Sequence, residues 1–146
     1  MPSRIRRALT CFTAALTVAL ALSVGSASPA AAFGGETFGC RVAPGTDFTW
    51  REFCSNTKQA TTYNVGFAVL NTSGTYTYSW TITGPYQYVI TGCTSTSYDC
   101  AVAVTAGAGD KVIDGTVTYT QNGQSATQWA EATVMPYCWD GAWVPC

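Results

Sequence analysis

The chain has 146 residues, a formal net charge of −1 and no histidine, and only 10% of its residues are charged. Without histidine, Ser-His-Asp and Cys-His catalytic arrangements are impossible. Its few basic residues form no cluster beyond residue 32, so a nucleic-acid partner is not expected. The composition therefore predicts a protein that is not an enzyme of these types and does not bind nucleic acid.

The sequence of residues 1–32 predicts a cleaved signal peptide. Three arginines near the start are followed by an uncharged apolar run over residues 8–24 and then by small residues ending at Ala32. This pattern is typical of a secretory leader. We expect cleavage after Ala32, with cleavage after Ala30 as the alternative. No second apolar stretch of membrane-spanning length follows, so residues 33–146 are expected to be secreted, extracellular and without a membrane span.

The chain beyond the leader has the length of one domain. Three of the seven basic residues lie in the leader, so four remain in residues 33–146 against all eight acidic residues. Threonine, serine, tyrosine and glycine are abundant there. A surface rich in hydroxyl groups is typical of extracellular β proteins.

Six of the seven cysteines lie beyond the leader. An even number of cysteines in an exported chain predicts three disulfides and no free thiolate nucleophile. No C-x₂-C or Cys/His spacing is present, so neither a metal nor a cofactor is expected. The short separations favour pairing between neighbours: Cys40–Cys54, Cys93–Cys100 and Cys138–Cys146. A rival pairing would tie the N-terminal segment to the C-terminal one, for example Cys40 to Cys138 or Cys146.

The first part of the domain shows the least periodicity. Residues 33–60 are expected to be an irregular N-terminal segment, followed by a β-sandwich core over residues 61–136. Within the irregular segment, residues 47–53 predict either a short helix capped by Asp47 or an irregular edge segment held by Cys54.

The clearest strand covers residues 75–83, where large apolar side chains alternate with Thr and Ser over nine positions. Its apolar face consists of Tyr76, Tyr78, Trp80 and Ile82. Further strand-like runs cover residues 65–70, 86–91, 101–105, 113–120 and 128–134. The sequence Asn122-Gly123 predicts a type I′ hairpin turn. Short strands at even spacing predict an all-β sandwich or barrel.

Two of these segments resemble immunoglobulin-like domains. Residues 75–82 resemble the third strand of such sandwiches, whose Trp packs in the core, and residues 113–134 resemble their last two strands. The resemblance covers about residues 61–134 and is to bacterial secreted immunoglobulin-like and PKD-like modules. It implies an antiparallel immunoglobulin-like β-sandwich that binds, spaces or adheres. Phe67 or Val69, and Gln121, occupy the places of the usual inter-sheet cysteines.

Three tryptophans are the candidate ligand-binding residues. If Ala130, Ala132 and Val134 face inward, Trp129 faces outward, unless a loop or the N-terminal segment covers it. Residues 137–146 are expected to form a disulfide-bounded hairpin with a type I′ turn at Asp140-Gly141. This hairpin either presents Trp139 and Trp143 to a ligand or folds them back as a lid over the sandwich.

The leading hypothesis is a secreted, non-enzymatic module that binds an extracellular ligand or surface, polysaccharide or protein, through these aromatic residues. The alternative is an inhibitor of an extracellular hydrolase that uses a disulfide-braced loop, 93–100 or 138–146. A small carboxylate-dependent hydrolase is the distant alternative, with Asp110 and Asp114 as one possible acid pair. An inhibitor needs an exposed extended loop, a polysaccharide binder a flat aromatic strip, and an enzyme two acids converging in a cleft.

Overall fold

The computed structural model describes residues 33–146, and the signal peptide expected at residues 1–32 lies outside the described residues. The described chain is all-β, as predicted, and no helix in it is long and apolar enough to cross a membrane. Its ten strands are β1 (Thr37–Ala43), β2 (Phe53–Ser55), β3 (Thr62–Leu70), β4 (Thr77–Thr83), β5 (Tyr88–Gly92), β6 (Asp99–Thr105), β7 (Lys111–Gln121), β8 (Gln124–Val134), β9 (Tyr137–Trp139) and β10 (Trp143–Pro145).

Eight of the strands form two four-stranded sheets. The first sheet has the order β1-β3-β6-β5 and the second β2-β8-β7-β4, while β9 and β10 form a separate hairpin. Neighbouring strands are antiparallel except β2, which pairs with β8 in parallel and aligns Phe53 with Glu131. The expected antiparallel arrangement is therefore wrong at β2. Because β2 is only three residues long, its sequence contains no periodicity from which a direction could be read.

Apolar residues of both sheets meet in the core. Phe67 of β3 and Val104 of β6 lie in one buried cluster with Ile113 of β7 and with Ala130 and Ala132 of β8. A second cluster towards one end contains the following buried residues: Val69, Tyr76, Tyr78, Val117 and Tyr119. The two sheets thus pack face to face in a sandwich-like arrangement, with the alternation of β7 and β8 as predicted.

The predicted faces of β4 are confirmed. Tyr78 is buried and Trp80 and Ile82 are partly buried, whereas the intervening Thr and Ser residues are exposed. The Trp80 indole Nε1 donates a hydrogen bond of 3.0 Å to the carbonyl of Ser97. A partly buried indole is therefore satisfied by a backbone acceptor, as its N–H requires.

The N-terminal segment is more regular than expected. Residues 37–43 pair along their whole length with β3, and Cys40 and Val42 are buried. Phe38, Cys40 and Val42 follow a period of two, which is hidden in the sequence because only three positions share it. No helix follows Asp47, whose carboxylate accepts a hydrogen bond from the Thr49 amide at 2.9 Å. The edge-segment alternative is therefore the correct one.

Two hairpins test the predicted turns. Asn122 and Gly123 both have positive φ, 51° and 79°, and join β7 to β8, which confirms the type I′ prediction. The β9–β10 hairpin also forms, but of its predicted turn residues only Gly141 has a positive φ, 73°. Trp139 and Trp143 are paired, so the loop has three residues, whereas a type I′ turn joins its strands through two residues that both have positive φ. The type I′ prediction is wrong there.

Each cysteine pairs with its neighbour in the sequence, and the rival pairing is wrong. The bridges are Cys40–Cys54, Cys93–Cys100 and Cys138–Cys146. The first bridge joins β1 of the first sheet to β2 of the second. The second closes the connection between β5 and β6, and the third joins β9 to the end of the chain.

The loop inside the second bridge links the two sheets. It leaves β5 and returns as β6, both in the first sheet, but the carbonyl of Ser95 accepts a hydrogen bond of 2.9 Å from the amide of Tyr78 in β4 of the second sheet. The Ser97 carbonyl accepts the Trp80 indole N–H. The loop therefore caps part of the free edge of β4 and closes that side of the sandwich.

Gly115 determines how closely the sheets approach at the centre of the core. A Cβ at this position would lie 2.4 Å from Cδ1 of Phe67, a distance that no real contact allows. Phe67 is fully buried in β3, so its ring cannot swing out into solvent. The absence of a side chain at Gly115 is thus what makes room for the phenyl ring.

We predict that Gly115→Ala lowers the free energy of unfolding by about 1–3 kcal/mol, because the core would be overpacked. Urea denaturation of the oxidised protein measures this change. Gly109→Ala is the matched control, since a Cβ there meets nothing within 4 Å. It should change stability by less than about 0.5 kcal/mol. Equal stability of the two variants would contradict the packing argument.

Candidate functional site

All three predicted tryptophans reach the surface. Trp129 is 39% exposed, Trp139 66% and Trp143 52%. The lid expected as an alternative for Trp139 and Trp143 is wrong, since both remain open to solvent. The three side chains belong to two aromatic groups: the C-terminal hairpin, residues 137–146, and the β8 aromatic pair, which consists of Phe53 and Trp129.

The C-terminal hairpin holds two indoles against each other. Trp139 and Trp143 are directly opposed in β9 and β10, with ring centroids 5.7 Å apart and planes at 68°. The Cys138–Cys146 bridge closes the hairpin, and the amide of Cys146 donates a hydrogen bond of 2.9 Å to the Pro136 carbonyl. A closed, hydrogen-bonded base thus carries a projecting aromatic group with little freedom to lose on binding.

The β8 aromatic pair lies at the edge of the second sheet. The rings of Phe53 and Trp129 are 5.5 Å apart and meet edge-to-face at 75°. Phe53 is placed there by the parallel pairing of β2 with β8, which the Glu131 amide extends by a 2.8 Å hydrogen bond to the Glu52 carbonyl. The N-terminal segment therefore covers Trp129 in part, and neither aromatic group is a coplanar strip.

A shallow groove of about 350 Å³ lies beside Trp129. It is lined by Glu36, Thr37, Phe38, Glu52, Gln128 and Trp129. Of its two carboxylates, that of Glu52 is exposed, whereas Glu36 is only 6% exposed. The groove thus combines an indole with a free carboxylate and an amide, which are groups that can hydrogen-bond a polar ligand.

Glu36 is engaged in the structure. Its carboxylate accepts hydrogen bonds from the Tyr76 hydroxyl and from the amide of Gly34, the latter at 2.8 Å. The Tyr76 hydrogen bond lowers the pKa of Glu36 against the opposing effect of burial. The Glu36 carboxylate thus connects the segment before β1 to Tyr76, the residue that precedes β4. Because its pKa is lowered, Glu36 is a poor general acid.

Asp110 and Asp114, the acid pair suggested by the sequence, do not line the groove beside Trp129. Asp110 is exposed in the β6–β7 connection, and Asp114 lies on the outer face of β7, directly opposite Glu131 of β8. Within residues 33–146, no three His, Cys, Asp or Glu side chains are grouped so as to hold a metal ion. The Asp114–Glu131 neighbourhood was not predicted, since the two acids are far apart in sequence and meet only through strand register.

The two candidate inhibitory loops differ in shape. Loop 93–100 is folded back on itself, with a 2.7 Å hydrogen bond between the hydroxyls of Thr94 and Ser97, and its carbonyls are bound to β4. The hairpin of residues 137–146 makes its hydrogen bonds within itself and to Pro136. Loop 93–100 exposes one large aromatic side chain, Tyr98, whereas the hairpin exposes two that contact each other, Trp139 and Trp143.

The chain matches no protein-family model, no curated protein and no solved structure. Its function must therefore be argued from its own side chains. Sequence reasoning found Trp129, Trp139 and Trp143 but missed Phe53. The sequence feature that could have identified Phe53 is its position next to Cys54, because the Cys40–Cys54 bridge fixes β2 beside β8.

We predict that Glu36 makes the domain less stable in acid. Because its pKa is lowered in the folded state, its contribution is complete above its unfolded value of about 4.3 and is lost as the pH falls through the folded value. At pH 6, Glu36→Gln should lower the free energy of unfolding by about 1 kcal/mol. The two proteins should converge towards pH 3, as measured by thermal unfolding.

Tyr76→Phe is the control for this prediction, because it removes the hydroxyl that donates to Glu36. The Tyr76→Phe variant keeps the aromatic ring in the core. In this background, most of the difference in unfolding free energy that Glu36→Gln causes at pH 6 should disappear. A constant gap between wild type and Glu36→Gln from pH 6 to pH 3 would show that Glu36 does not titrate as described.

Proposed function

We propose that this protein is a secreted, non-enzymatic binding module that contacts an extracellular ligand or surface through exposed aromatic side chains. The observation that carries this proposal is the C-terminal hairpin, where Trp139 and Trp143 are 66% and 52% exposed. Large aromatic side chains are costly to leave in water and dominate binding interfaces where they occur. Two of them at the tip of one small hairpin favour a contact surface.

The disulfides support the extracellular part of the proposal. The domain contains three bridges, and disulfides typically form and persist in oxidising compartments outside the cytosol. The signal-peptide pattern of residues 1–32 is consistent with export. The absence of histidine and the engagement of all six domain cysteines in bridges support a binding role over nucleophilic catalysis.

We infer further that the domain is immunoglobulin-like. Constant-type immunoglobulin sandwiches place strands A, B, E and D in one sheet and C, F and G in the other. Assigning β1, β3, β4, β5, β6, β7 and β8 to A–G yields the same order, with β2 as an added strand beside G. At the centre, Phe67 of β3 packs on Gly115 of β7, and these are the two strands that the inter-sheet disulfide joins in immunoglobulins. This contact supports Phe67 over Val69 as one of the two positions, with Gly115 rather than Gln121 opposite it. Strand order supports the fold class but no particular ligand.

The hairpin also supports the second candidate, an inhibitor of an extracellular hydrolase. A projecting, disulfide-closed hairpin could enter the cleft of an enzyme with little loss of conformational entropy. Loop 93–100 is less suited to this role, because Ser95 and Ser97 bind it to β4. The inhibitor hypothesis therefore concerns the hairpin alone.

We predict that Trp139→Ala and Trp143→Ala each weaken binding about tenfold or more, since both indoles are exposed anchors. The oxidised protein is tested for retention on cellulose, chitin and cell walls, and for inhibition of secreted proteases and glycosidases. Tryptophan fluorescence then reports the affinity for any soluble ligand found. Phe48→Ala is the matched control, because Phe48 is 76% exposed and lies outside both aromatic groups.

Inhibition of a hydrolase without retention on any polymer would favour the second candidate. Binding that is unchanged in both tryptophan variants would show that the hairpin is not the contact surface. A ligand lost equally in Phe48→Ala would point to nonspecific adsorption.

A further inference from the structure

The outer face of the second sheet is covered by hydroxyl groups. We call it the hydroxyl face; it consists of Thr77, Ser79, Thr81, Thr116, Thr118, Thr120, Ser125 and Thr127. We propose that this face, together with Trp129, binds a neutral, linear polysaccharide. This inference rests on the proposed binding function and assigns it a second surface and a ligand chemistry.

Strand register arranges the hydroxyls in rows. The rows across β4, β7 and β8 are Thr77–Thr120–Ser125, Ser79–Thr118–Thr127 and Thr81–Thr116–Trp129. Neighbouring strands lie about 4.8 Å apart, and successive outward residues of one strand about 6.8 Å apart. The face is therefore a regular grid of hydroxyls that ends at an indole, and it suits a ligand with repeating units.

The hydroxyls keep free hydrogen-bonding capacity. Thr118 and Thr127 share one hydrogen bond of 2.8 Å, and Thr120 and Ser125 share one of 2.7 Å. Each shared bond uses one hydrogen and one lone pair, so each pair still has one donor and several lone pairs available. These are the same groups that a sugar hydroxyl offers. The face can thus donate to and accept from such a ligand along its length.

The structure does not form the flat aromatic strip expected of a polysaccharide binder, since Phe53 and Trp129 meet at 75°. In this proposal the single indole of Trp129 provides the apolar part of the sugar site, and the rows of hydroxyls provide the rest. Trp129 lies directly opposite Thr116 and is 39% exposed, while its contact with Phe53 restrains the ring. A pyranose has apolar C–H groups on its ring faces and hydroxyls around its rim. An indole beside threonine hydroxyls matches both, because the aromatic ring packs on the C–H groups.

The charges favour a neutral polymer over an acidic one. The charged residues on the described outer side of β4, β7 and β8 are Asp114 and Glu131, in the row next to Trp129. The described chain also has an excess of acidic residues, eight against four basic. Polyanions would be repelled from this face, whereas the two carboxylates can accept hydrogen bonds from neutral sugars.

Affinity electrophoresis in gels containing soluble β-glucan, xylan or galactomannan tests the proposal, with polygalacturonate as the acidic comparison. Depletion assays on cellulose and chitin cover insoluble polymers. We expect Trp129→Ala to weaken binding about tenfold. Thr118→Val with Thr127→Val should weaken it about fivefold, since the shape is retained and the hydroxyls are lost.

The matched control is Thr62→Val with Thr105→Val, a directly opposed threonine pair on the first sheet. It should leave retardation unchanged. Trp129→Phe keeps an aromatic ring and should retain part of the affinity, and thermal unfolding of every variant verifies that it folds.

The outcomes separate this inference from the proposed function. Binding to a neutral polymer that is lost in Trp139→Ala but unchanged in the Trp129 and threonine variants would overturn the hydroxyl face and leave the binding module intact. Equal loss in the Thr62/Thr105 control would also overturn it, as would stronger retardation by polygalacturonate. No retention on any neutral polymer would overturn it, while the hairpin would still be tested against protein partners.

Discussion

The Cys40–Cys54 bridge is the constraint on which the β8 aromatic pair and one side of the sandwich depend, because it fastens the first sheet to the second along one open side. After β1 the chain leaves the first sheet, and the bridge holds β2 against the edge of β8. That position brings Phe53 onto Trp129. Without β2, the Trp129 ring would lack its neighbour and β8 would have a free edge over residues 131–133.

The opposite side of the sandwich is closed by a different device. Loop 93–100 crosses from the first sheet to β4, where its carbonyls accept hydrogen bonds from the Tyr78 amide and the Trp80 indole N–H. Between the two closed sides, Phe67 packs on Gly115 at the centre. The inner faces of the strands are therefore committed to packing, which leaves their outer faces to carry hydroxyls and exposed rings.

Most of the fold was predictable where apolar and polar residues alternate over many consecutive positions. The alternation of β4, β7 and β8 identifies their inner and outer faces, and the short cysteine spacings favour the observed bridges. β1 was missed because its alternation is short: only three inward residues, separated by Gly39 and Arg41, repeat at a period of two. β2 and its parallel direction depend on tertiary pairing, which three residues cannot encode locally. Likewise, the rows of the hydroxyl face exist only through strand register, so single-strand patterns did not reveal them.

The local nature of the bridges has a consequence for the biogenesis of the protein. The paired cysteines are 14, 7 and 8 positions apart, and each pairs with the next cysteine of the domain. If the chain crosses a membrane from its N-terminus, an oxidase that joins thiols in their order of emergence produces the native connectivity directly. With that order of emergence, the native bridges would form without the exchange of wrongly joined cysteines that a disulfide isomerase catalyses.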